Sequence, residues 1–148
     1  MENISTAELI IRVVVIIILA GLIGFERETI KTPAGLRTNI LVGLGSTLIM
    51  VLSIMLAAES TSTEIDPGRI AGQVITGIGF LGAGAIIQSR GSIRGLTSAA
   101  TIWVVAAIGL VVGAGYYLIA VIATVAVLIT LHILPNLERR FDKGKDNQ

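Results

Sequence analysis

The chain has no cysteine, one histidine and few charges. Without cysteine there is neither a disulfide framework nor a thiolate nucleophile, and a lone histidine excludes a His/Cys zinc site. Charged residues make up 14% of the sequence, where a soluble domain carries about a quarter. No Asp or Glu lies in the middle of an apolar run, and no nucleophile–base pair is visible. No enzymatic activity, cofactor or nucleic-acid partner is therefore expected. A basic segment before the first apolar run is missing too. Glu2 and Glu8 stand there instead, and no small-x-small cleavage site precedes Glu26. The first run reads as a retained helix rather than a cleaved signal.

What is present is apolar. Hydrophobic residues make up 53% of the chain and its mean hydropathy is +0.88. Five apolar stretches stand out: 9–25, 38–58, 70–88, 96–112 and 116–134. A hydrocarbon core about 30 Å thick needs roughly 20 helical residues. The second, third and fifth stretches reach that length, and the first and fourth need some tilt or local thinning. Only Gly113-Ala114-Gly115 divides the last two, so they form either a tight hairpin or one long broken segment.

Charge favours the hairpin. With five spans the loops alternate, and one side carries nine basic residues: Arg27, Lys31, Arg37, Arg90, Arg94, Arg139, Arg140, Lys143 and Lys145. The other side carries Arg12 and Arg69, with Glu2, Glu8, Glu59, Glu64 and Asp66. The positive-inside rule then places the N-terminus outside and the C-terminus in the cytoplasm. Tyr116 and Tyr117 fall at the outer interface, where aromatic rings favour the headgroup zone. The expected fold is an all-α polytopic bundle of five transmembrane helices over residues 1–137, with a short cytoplasmic tail, 138–148.

The segment 66–103, DPGRIAGQVITGIGFLGAGAIIQSRGSIRGLTSAATIW, holds eight of the seventeen glycines. Small residues let helix backbones approach closely in a bilayer, where packing holds helices together. On a helical wheel Gly72, Thr76, Gly79 and Ala83 share one face, with Gln73, Gly77, Phe80 and Gly84 beside it. Val74, Ile75, Ile78, Leu81 and Ala85 lie opposite. The small, polar arc is expected to pack against other helices and the aliphatic arc to face lipid. Asp66 suits the N-cap and Pro67 the first helical position. A G-x-G-x-x-G occurs at Gly77, Gly79 and Gly82, but it lies inside a span with no acidic residue before Glu138, so no dinucleotide site is read from it.

Several polar residues can be weighed singly. Glu26 and Arg37 flank a short loop whose turn is Pro33-Ala34-Gly35. They either anchor the interface with local ion pairing, or Glu26 is held by Arg37 or another helix's polar groups in a functional pocket, since charges inside membranes are costly and often functional. Arg12 can snorkel outward, pair with Glu8 at i, i+4, or meet Asp66. Gln73 suits a hydrogen bond to a neighbouring helix. His132 suits the interface and Trp103 the core. Thr97, Ser98 and Thr101 can cap the fourth span or bond back to carbonyls. Glu26, Arg37, Asp66 and Gln73 are the polar residues on which activity is expected to depend.

In order and spacing, Gly21–Glu28, Ala34–Thr38, Asp66–Val74, Gly77–Gly84 and Gly95–Trp103 together resemble the MgtC/SapB family of bacterial membrane proteins. The likeness covers about residues 8–134. It implies a multi-pass protein of the inner membrane, linked to growth at low magnesium and, in pathogens, to virulence. It also implies action on other membrane proteins, such as ATP synthase or cation-transport ATPases, with self-association left open. Many members carry an ACT-like cytoplasmic domain after the spans. None is expected here, so no sensing role is carried over. Against a regulator stands a Mg²⁺ transporter or channel. Mg²⁺ prefers oxygen ligands, and the best carboxylates, Glu26 and Asp66, are expected at opposite membrane faces.

Overall fold

A computed structural model describes residues 4–59, 66–89 and 92–142. Glu2, Glu64, Arg90 and the tail from Lys143 lie outside the described residues. Five helices follow in order: α1 (Thr6–Thr29), α2 (Leu36–Glu59), α3 (Pro67–Ala85), α4 (Leu96–Gly113) and α5 (Tyr117–Asp142). Between α3 and α4 lies a short antiparallel pair, β1 (Ile87–Ser89) and β2 (Ser92–Arg94), with Ile87 opposite Arg94. The apolar run 70–88 hid this hairpin in the sequence. Helices α1, α2 and α4 are each long and apolar enough to cross a membrane, and α5 carries a shorter apolar stretch over Tyr117–Ile133. The chain is a helical membrane protein. The α3 helix is not among these three, and Arg69, Gln73 and six glycines stand among its aliphatic residues.

Local chemistry sets the ends. Ser5 and Glu8 form a reciprocal capping box, with Glu8 N donating to Ser5 Oγ at 3.2 Å and Ser5 N to Glu8 Oε2 at 3.1 Å. This starts α1 before its apolar run. Asp66 caps α3 as expected, its Oδ1 accepting from Gly68 N at 2.8 Å, with Pro67 in the first turn. The α4–α5 turn is a hairpin. Gly115 sits at φ +87°, its N–H reaching Val112 O at 2.9 Å, and Tyr116 N–H reaches Val111 O at 3.1 Å. This 6→1, 5→2 pair is the Schellman arrangement, and it needs a residue at ease with positive φ. Helix α5 runs through Pro135 to Asp142, beyond the expected end of the last span.

Helix α4 is central and touches all four others. Its tightest contact is with α2. A Cβ built on Gly109 would lie 2.5 Å from Gly43 O, and one on Gly113 would lie 2.7 Å from Thr47 O. These two glycines, four residues apart, let the backbones meet. Thr47 Oγ1 donates to Gly109 O at 2.9 Å across the same contact. On the other side of α2, a Cβ on Gly24 of α1 would lie 2.8 Å from Leu36 Cα. The close-packing glycines are thus on α1, α2 and α4. Ile16, Ile23, Val105 and Val112 fill the space between these helices and are fully buried.

The expected orientation of α3 is reversed. Its buried residues are Ala71, Val74, Ile78, Gly82 and Ala85, while Gly72, Gln73, Thr76, Gly77, Gly79, Phe80, Ala83 and Gly84 are exposed. Cβ atoms on Gly72, Gly77, Gly79 or Gly84 would meet nothing within 4 Å. Of the aliphatic arc, Val74, Ile78 and Ala85 pack because their side chains can fill the groove beside α4, where glycine would leave voids, while Leu81 stays exposed. Trp103, expected in the core, is half exposed on the outside of α4.

Candidate functional site

The four polar residues singled out in the sequence are not brought together. Glu26 pairs with its neighbour Arg27, whose Nε and Nη2 both donate to the carboxylate. Arg37 is exposed on the first turn of α2 and makes no ion pair with Glu26. The carboxylate that crosses this loop belongs to Glu28, whose Oε2 accepts from Leu36 N at 2.9 Å and so caps α2 from α1. Gly35 leaves the room: a Cβ there would lie 1.8 Å from that oxygen. Asp66 is exposed and engaged as a cap. Gln73 is exposed on α3, two turns further along.

The sequence did not show how deeply Arg12, Asn39 and Arg27 are buried. Arg12 is 7% exposed rather than snorkelling outward, and its Nη1 donates to Gly113 O at 2.6 Å. A cation at the last carbonyls of α4 suits the negative end of that helix. Its Glu8 partner stands farther off, at 3.9 Å, and Asp66 is not involved. Asn39, fully buried, donates from Nδ2 to Ala34 O at 3.0 Å and Gly35 O at 2.8 Å, which locks the α1–α2 turn. Arg27 is 3% exposed. The hint for Arg12 was its place opposite the Gly113–Gly115 turn, legible only once the hairpin is fixed.

Two surfaces among the described residues suit a partner or ligand. One is the outer arc of α3, continuous with a groove of about 600 Å³ between α2 and α3. Leu41, Gly45, Ile49, Gln73, Gly77 and Leu81 are among its lining residues. It is almost wholly apolar, and Gln73 gives it an amide. Small residues on an exposed face, with one hydrogen-bonding side chain, are the features by which membrane helices associate. Phe80 stands proud of this arc, 82% exposed. The other is a more polar cavity at the opposite end of α3, where α4 begins. Among the described residues, neither is lined by a carboxylate.

The sequence profile of the MgtC family matches residues 13–140. A protein of Escherichia coli K12 named putative magnesium transporter YhiD is 46% identical over 138 residues, 91% of this chain and 64% of its own length. Protein MgtC of Brucella abortus is 45% identical over 75% of this chain and 44% of its own length. Protein MgtC of Salmonella typhimurium is 38% identical over 90% of this chain and 55% of its own length. The chain thus spans less than two thirds of each of these relatives. No solved structure matches it.

Proposed function

The chain belongs to the MgtC family, and on that premise we propose that it is a non-enzymatic regulator that binds another membrane protein of the bacterial inner membrane. It serves growth at low magnesium, with a link to virulence where the host is a pathogen. Its N-terminus faces outward and its C-terminus the cytoplasm, as the nine-to-two basic bias requires. The observation that carries this reading is the outer arc of α3. Gly72, Thr76, Gly79 and Ala83 are exposed there, and a Cβ on Gly72 or Gly79 would meet nothing within 4 Å among the described residues. A smooth small-residue face suits a second helix at short range, Gln73 supplies a hydrogen bond, and Phe80 supplies a knob. The partner is a transmembrane helix of another protein, of the ATP synthase or cation-transport ATPase kind.

A photo-crosslinker placed at Gly79 tests this in cells limited for magnesium. The reading requires an adduct with a second membrane protein, and none from Ile122, an exposed residue of α5. An adduct only with another copy of the chain, or equal labelling from both positions, contradicts it. Reporter fusions after Asn136 and within 59–64 check the orientation, with the first expected inside and the second outside.

The name of the Escherichia coli relative supports a second reading, transport of Mg²⁺. Such a path would have to use backbone carbonyls, because the spans hold no acidic residue at mid-depth. Purified protein in liposomes distinguishes the two. The regulatory reading requires no Mg²⁺ flux, and a flux abolished by Glu26→Ala or Asp66→Ala would replace it.

A further inference from the structure

At the end of the bundle where α1 finishes and α4 starts lies a cavity of about 660 Å³. Arg27, Thr32, Gly95, Thr97, Ser98 and Thr130 are among the residues that line it. Helix α4 opens there without a cap. Its N-cap residue is Gly95, at φ +91°, with no side-chain hydrogen bond to the first turn. The usual Ser, Thr, Asp or Asn cannot stand at this position, because a Cβ would lie 2.0 Å from Ala85 O. The first intrahelical bond of α4 is Ala99 N to Gly95 O, at 2.9 Å. The N–H groups of Leu96, Thr97 and Ser98 therefore have no acceptor in the helix. All three residues line the cavity, at the positive end of an 18-residue helix.

Two buried side chains point to what fills the gap. Ser98 is 2% exposed and lines the cavity, yet its hydroxyl makes no hydrogen bond among the described residues. Its neighbour Thr101, by contrast, bonds back to Thr97 O at 2.7 Å. Arg27 is 3% exposed, and Glu26 engages its Nε and Nη2. Its Nη1 keeps its N–H groups without a partner among the described residues. Lys31, Arg37 and Arg94 are exposed at the same end of the bundle. Donors of three kinds thus belong to residues that line one space.

We propose that this cavity binds a phosphoryl group, held by Arg27 Nη1, the Ser98 hydroxyl and the open N–H groups at the start of α4. A tetrahedral oxyanion accepts from several directions at once, which matches donors arriving from two helices. The same chemistry is offered by inorganic phosphate and by the headgroup of an anionic phospholipid. The site does not depend on the α3 surface, so either proposal can fail without the other.

The test uses the full chain purified in neutral detergent, with its thermal midpoint read against added ligand. The probes are inorganic phosphate, sodium chloride at matched ionic strength, short-chain phosphatidylglycerol and short-chain phosphatidylcholine. The midpoint should rise with phosphate and phosphatidylglycerol but not with chloride or phosphatidylcholine. A rise with phosphatidylglycerol alone assigns the site to a lipid headgroup, and a rise with phosphate alone to the free ion. Ser98→Ala removes a hydroxyl that bonds to nothing among the described residues, so its ligand-free midpoint should equal that of the parent. Its affinity should fall about ten-fold or more, as for a lost hydrogen bond to a charged group. Ser98→Asp puts a carboxylate into the cavity and should abolish the response while keeping the fold. A response equal to that of chloride, or undiminished in both variants, overturns the assignment.

Discussion

Replacing Gly109 with Ala should destabilise the protein even though the change adds one methyl group and improves helix propensity. The new Cβ would lie 2.5 Å from Gly43 O and 2.8 Å from Ser46 Cβ, both closer than real Cβ contacts come. The first is backbone and cannot rotate away, so α2 and α4 must separate by close to an ångström. Overpacking of this kind costs about 1–3 kcal/mol. Separation also weakens the 2.9 Å bond from Thr47 Oγ1 to Gly109 O, worth about 1 kcal/mol. Against this, Ala in place of Gly gains about 1 kcal/mol of helix propensity. The net loss is ~2 kcal/mol, a fall in thermal midpoint of roughly 4–8 °C for a chain of this size. The control is Gly79→Ala on the outer arc of α3, where the new Cβ meets nothing within 4 Å. It should be neutral or slightly stabilising. Thermal unfolding of both variants in detergent measures the difference. Equal midpoints would refute the assignment of Gly109 to the α2–α4 contact and of Gly79 to the outside.

Three further outcomes are expected. Arg12→Leu should cost about 1–3 kcal/mol, because Gly113 O loses its donor in a buried place; an unchanged unfolding midpoint would show that the carbonyl finds another partner. Glu26→Ala and Arg37→Ala should combine additively within ~0.5 kcal/mol in a double-mutant cycle, since these side chains do not pair. Glu26→Ala and Arg27→Ala should combine non-additively, because Arg27 is buried against the Glu26 carboxylate; an additive result would mean that the pair does not form in the membrane.

Much of the fold was legible because it rests on local rules. Apolar length marks helices, Asp66-Pro67 marks a start, and Gly113-Ala114-Gly115 marks a turn once the charge bias requires a hairpin. The face of α3 was not legible. A helical wheel says which residues share a side, but not which side meets the rest of the chain. Glycine permits close approach and also leaves voids, so its position on a wheel fixes neither. The tight glycines proved to be Gly109 and Gly113, in a helix read mainly for its threonines and tryptophan. Ion-pair partners were equally hidden. Glu26, Glu28, Arg27 and Arg37 lie within twelve residues, and only the three-dimensional turn shows that Glu28, not Glu26, reaches across to α2. The β1–β2 hairpin lies partly within an apolar run whose periodicity cannot separate a helix end from a strand.

The account rests on α3 offering its glycine arc outward to a partner helix. Growth at limiting magnesium tests this most directly, in cells whose own copy is replaced by Gly79→Leu. Position 79 is open in the structure, so the variant should match the parent in abundance and thermal midpoint. It should nevertheless fail to support growth, because a leucine there holds the partner helix away. A variant that is folded, abundant and fully active would contradict the claim that this face does the binding.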